Sequence, residues 1–72
     1  MLADGTYDAI VVDATDVEGR AGLLELTIVA GPHKGDVVAV RAEHLAMTAV
    51  DVLGLPARLV VTDQRPDVVL ET

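Results

Sequence analysis

The sequence predicts a small all-β barrel of five antiparallel strands with one short helix between the third and the fourth. Three observations carry this. The chain has 72 residues and is 51% hydrophobic, yet Tyr7 is its one aromatic residue, so a single domain must close around small aliphatic side chains. Valine occurs 13 times, beside 10 alanines and 9 leucines, a β-branched composition that suits strands. Short apolar runs bounded by Gly, Pro and Asp alternate with polar positions, and one stretch switches to a helical period.

Residues 6–14, TYDAIVVDA, follow the turn signal Asp4-Gly5 and read as the first strand. The charged stretch 16–22, DVEGRAG, carries two glycines and predicts an exposed loop. Residues 23–30, LLELTIVA, alternate: Leu24, Leu26 and Ile28 share one face, Glu25 and Thr27 the other, as in a half-buried second strand. Residues 31–35, GPHKG, are a turn by composition. Residues 36–42, DVVAVRA, return as the third strand, with Val38 and Val40 inward and Arg41 in water.

From Glu43 the period changes. In EHLAMTAVDVLGLP, Leu45, Ala49 and Leu53 recur at four, and Ala46, Val50 and Leu53 at four and three, which predicts one short helix. Gly54 is placed to take the left-handed position after it, Leu55 to fold back toward Val50, and Pro56 to forbid continuation. Residues 58–62, RLVVT, are the fourth strand, 63–67 a turn, and 68–71, VVLE, the fifth strand. Nothing repeats and no linker interrupts the pattern, so residues 1–72 are expected to form one domain.

Three strands, a helix and two strands is the element order of the OB-fold, a Greek-key barrel plugged by a helix between strands three and four. The rival architecture is an SH3-like small barrel, which has a short 3₁₀ turn in place of the helix.

Composition narrows function as well. Twelve acidic against five basic residues give a net charge of −7, which repels polyanions at long range. With no cysteine, disulfides, thiolate nucleophiles and cysteine-based zinc sites are excluded, and a cytoplasmic setting is expected. Apolar runs reach only four residues, as in residues 9–12, and no basic region precedes an apolar stretch, so neither a membrane span nor a signal peptide is expected.

The runs GTYDAIVVDA and LLELTIVAGPHKGDVV, with a helix closing on VLGLP, resemble small phage-type single-stranded-DNA-binding OB domains. The resemblance covers about two thirds of the chain. It implies that Tyr7, Lys34 and Gly35 hold matching places, with Lys34 offered to a phosphate. Locally, GPHKG resembles the turn of a KOW motif, found in SH3-like barrels of ribosomal and elongation proteins.

The residues themselves offer little catalytic chemistry. His33 and His44 are the titratable candidates near neutral pH, but the chain has no Ser or Cys, and no two-histidine spacing suits a metal. Asp13, Asp16 and Glu18 cluster acidic groups without the ligand spacing of a calcium loop. Neither an enzyme nor a metal or cofactor site is therefore expected.

Binding candidates are more definite. Arg20 and Arg65 fall in the first and fourth connections, which flank the ligand face of an OB-fold, and Arg41 lies on that face. His33 and Lys34 occupy the tip of the central hairpin. Its outward side presents Glu25, Thr27 and Val29 beside Val37, Ala39 and Arg41. A nucleic-acid groove needs stacking aromatics and a basic track; small aliphatics ringed by charges suit a protein surface or a second copy. The expected function is thus protein interaction or self-association, with weak single-stranded nucleic-acid binding as the alternative.

Overall fold

The computed structural model describes residues 2–42 and 45–71. It contains β1 (Gly5–Val17), β2 (Arg20–Ile28), β3 (Val37–Arg41), α1 (Ala49–Val52), β4 (Pro56–Thr62) and β5 (Arg65–Leu70). Every strand pair is antiparallel, in the order β3-β2-β1-β4-β5. After the β1–β2–β3 meander the chain returns to lay β4 against β1, the Greek-key order. The five strands curl into a partly open, OB-like half-barrel.

The inner face holds the predicted aliphatic core. Leu24, Leu26 and Ile28 of β2 meet Val11 of β1, Val40 of β3, Leu59 of β4 and Val68 of β5, all buried. Among the described residues no polar or charged side chain is buried, so the stability rests on apolar burial and the strand ladders.

Two of the three hairpin connections, β1–β2 and β4–β5, are shorter than predicted. The expected loop over 16–22 is mostly strand, because Glu18 and Gly19, with φ of 54° and 85°, make a two-residue turn whose twist matches the flanking strands. At the other hairpin, Asp63 and Gln64 take φ of 50° and 64° without any glycine. Asp4 explains how: its carboxylate accepts the Asp63 N–H at 3.1 Å and the Gln64 N–H at 3.3 Å. The fifth strand consequently starts at Arg65, three residues before the expected position.

The helix is also shorter. A helix over 43–53 was expected; α1 is a single turn of four residues, while Glu43 and His44, at the start of that expected helix, lie outside the described residues. Two causes act together. Met47 gives its carbonyl to the Ala21 N–H at 2.7 Å, which holds the approach to α1 as extended chain along β2. Thr48, Val50 and Val52 are β-branched, and so short a segment cannot nucleate a helix on propensity. The predicted apolar face changes accordingly: Val52 is buried, Val50 is 78% exposed, and Leu55 packs on the core.

The left-handed Gly54 is as predicted, although α1 stops at Val52 and Leu53 has a non-helical ψ of 132°. Gly54 has φ of +78°, and its N–H donates to the Val11 carbonyl at 2.8 Å while the Val11 N–H donates to Leu55 at 3.1 Å. A Cβ there would meet no atom within 4 Å, so only the backbone conformation opposes it. Gly54→Ala is expected to cost about 1 kcal/mol, read as a lower midpoint in urea; an unchanged midpoint would refute the strained conformation.

The barrel stays open between β3 and β5, which approach without sharing a ladder. Hydrogen-bond phase gives the reason. Thr62 and Arg65 flank the two-residue turn, and the Glu71 N–H donates to Pro56, so Pro66, Val68 and Leu70 turn their backbone groups away from β4. Pro66 has no N–H, and the Val68 N–H is held by the Asp67 carboxylate at 2.9 Å. The free edge of β5 is thereby blocked.

Candidate functional site

The expected binding residues fall into four places. Arg20 and Arg41 come together: they line one open groove of about 420 Å³ with Val17, Glu18, Ala21, Gly22 and Ala42 at the turn end of β1 and β2. Arg65 does not join them. It lies beside the β4–β5 turn, which Asp4 ties to the start of β1, whereas Arg20 pairs with Val17 at the far end of that 13-residue strand. Asp63 and Asp67 share a groove with Arg65, so no continuous basic track joins the two ends.

Tyr7, His33 and Lys34 gather at the other rim. The Tyr7 hydroxyl donates to the Ala3 carbonyl, and its ring meets His33 edge-on with centroids 5.8 Å apart. Tyr7 shares the inner side of β1 with Ala9 and Val11 and packs on the core, away from the outer face that carries Val29 and Val37. His33 Nδ1 lies 3.2 Å from an Asp36 carboxylate oxygen, and Lys34 gives its backbone N–H to Gly31 within the turn.

The outer face of β1, β2 and β3 is laid out in rows. Ile10, Thr27 and Val37 form one, Asp13, Glu25 and Ala39 the next, and Thr15, Leu23 and Arg41 the third. Val29 stands beside Asp8, to which its N–H is bonded. Val37 is 60% exposed, Val12 49% and Leu23 43%, with Ile10 and Val29 also open to solvent. Ile10, Val12, Val29 and Val37 thus form an aliphatic strip bordered by Asp13 and Glu25, with Leu23 and Arg41 beyond that acidic row. Ile10, Val12 and Leu23 were not among the sequence candidates. Leu23 was accessible to the period-2 argument, since it shares parity with Glu25 and Thr27. Val12 was not, because its outward place comes from a bulge between Val11 and Asp13.

The acidic cluster is used locally. Asp16 accepts the Ala49 N–H at 2.7 Å and so caps α1 from 33 positions away, while Asp13 accepts the N–H of Ala14. Arg58 is engaged by Glu71 at 3.0 Å, a contact that is solvent-exposed and contributes little.

No family model matches the chain, and neither known proteins nor solved structures give a match to it. Among the described residues no helix is long and apolar enough to cross a membrane.

Proposed function

We propose that this domain is a non-catalytic OB-like binding module that acts through protein contact, with a protein partner or a second copy, on the outer face of β1–β3. The aliphatic strip of Ile10, Val12, Val29 and Val37, with Leu23 beyond the Asp13–Glu25 row, carries the reading. Such a strip loses unfavourable hydration when covered, and charges around it give orientation. The cysteine-free composition suits a cytoplasmic setting.

The pairing of Arg20 with Arg41 in one groove favours a second reading, single-stranded nucleic-acid binding of the phage type. Other features oppose tight binding of that kind. The two connections that would flank a strand are two-residue turns, too short to wrap it, and Tyr7 is engaged on the inner side. Each stacked base is worth about 1–3 kcal/mol, and here that contribution is missing, as is a basic track.

Sedimentation of the pure domain, alone and with a labelled 20-mer oligonucleotide at low salt, separates the readings. In fluorescence anisotropy at physiological salt no saturable binding is expected below about 10 μM, within the usual range of purely electrostatic association. Residual binding should need Arg20 and Arg41 and fall steeply with salt. A salt-resistant, sub-micromolar isotherm would establish the second reading instead.

A further inference from the structure

We propose that the free edge of β3 takes up an extended segment of a protein partner, apolar in its middle and basic at the end beside Asp36, as an added strand. This rests on the protein-contact reading and names the partner's chemistry. Its basis is the unequal state of the two sheet edges.

The ladder between β2 and β3 fixes which backbone groups are used. Ile28 donates to the Asp36 carbonyl at 2.9 Å and Ala42 to the Gly22 carbonyl at 2.9 Å, so even-numbered positions of β3 face β2. Val37, Ala39 and Arg41 therefore turn their N–H and C=O groups outward. Proline, a bulge and a capping side chain are the usual protections of such an edge. On β5, Pro66 and Asp67 supply two of them; on β3 the sequence Val37-Val38-Ala39-Val40 supplies none. β5 approaches β3 without pairing with it, and the Val37 and Ala39 end opens onto a groove that an added strand can enter.

An open groove of about 500 Å³ runs along that end, lined by Val37, Val38 and Ala39 on one side and by Leu2, His33 and Asp36 around it. A strand paired with Val37 and Ala39 alternates its side chains between two surroundings. Outward ones would extend the aliphatic strip beside Val37, and inward ones would meet Val38 and Leu2. Both surroundings are apolar. The charge preference follows from Asp36 at the groove, with one carboxylate oxygen on His33, and from the net −7 of the chain. A second copy would bring another −7; a segment with a lysine or arginine beside Asp36 is attracted.

The test uses the whole chain, labelled with ¹⁵N, and the capped hexapeptide Lys-Thr-Val-Val-Thr-Lys. Saturation should slow amide exchange at least tenfold at Val37 and Ala39, with little change at Val38 and Val40, whose N–H groups are already bonded. Ala39→Pro removes an N–H that is unused within the sheet and should weaken binding at least tenfold. Asp36→Asn, and the same peptide with Glu in place of Lys, should weaken it likewise and do not depend on the proline variant folding. Absent protection at Val37 and Ala39, equal binding of the Glu peptide, or the same protection in a peptide-free dimer would each overturn the proposal. If these failures occur while the oligonucleotide also stays unbound, the edge proposal alone is lost; tight oligonucleotide binding would instead remove the protein-contact reading beneath it.

Discussion

Leu59→Ala is expected to destabilise the domain by about 3 kcal/mol, within the range for truncating a buried leucine. Leu59 has no exposed surface and lies in the middle strand of three, opposite Tyr7 on β1 and Val68 on β5. Its β1 neighbour two positions on is Ala9, which pairs with Ala57. Side chains this short cannot swing into the space vacated, so most of the cavity should persist. A chain of this length has roughly 4–11 kcal/mol in total, at about 0.05–0.15 kcal/mol per residue, and so one substitution removes a large part of it. Urea denaturation should show a much lower midpoint with the slope preserved. Val50→Ala is the matched control: Val50 is 78% exposed and should shift stability by no more than about 0.5 kcal/mol.

The same distinction between inner and outer positions explains what could be read from the sequence. The alternation through β2 and β3 placed Leu24, Leu26, Ile28 and Val40 inside and Val29, Val37 and Arg41 outside, because a strand with one buried face admits a single register. Greek-key order followed from counting elements. What escaped depends on distant contacts. The turn at Asp63-Gln64 looks like no two-residue turn until Asp4, some sixty positions earlier, supplies its carboxylate. The helix over 43–53 was the sound local reading of a four-and-three spacing, but Met47 bonds to β2 and leaves one turn. Arg20 and Arg65 appeared to flank one face, and only the full length of β1 shows them at its opposite ends. Strand faces are a local property; grouping side chains from different connections is not.

Edge chemistry lies between these cases. Pro66 and Asp67 were visible as a turn-like interruption before Val68, and that composition suggested a longer connection. In the structure they are strand residues, and they keep β5 from closing on β3. A barrel sealed there would have no unpaired β3 backbone and no partner site on it. The opening thus links two adjacent residues of β5 to the surface available on β3.

Gly22→Ala should be the most damaging of the glycine substitutions, at about 2 kcal/mol, the cost of forcing extra volume into a filled site. The reason differs from that at Gly54, where positive φ alone is at stake. Gly22 is the extra residue of a bulge, between the pairs Thr15 with Leu23 and Asp16 with Ala21. The bulge brings Val17 over it, so an added Cβ would lie 2.7 Å from the Val17 Cβ and 2.7 Å from its Cγ2. Rotating Val17 cannot relieve contact with a Cβ; the backbone of the hairpin must shift. Gly19 provides the comparison, because a Cβ there meets nothing within 4 Å and only φ of +85° opposes it, a cost of about 1–2 kcal/mol. Combining Gly22→Ala with Val17→Gly removes the clash and should leave the double variant less destabilised than the sum of the singles, by an amount within the usual 0.5–3 kcal/mol for residues in contact. Strict additivity in urea midpoints would show that Val17 does not press on Gly22. Coupling would confirm that the glycine is required by close approach at the groove where Arg20 and Arg41 meet, since any shift of this hairpin end moves Arg20 relative to Arg41.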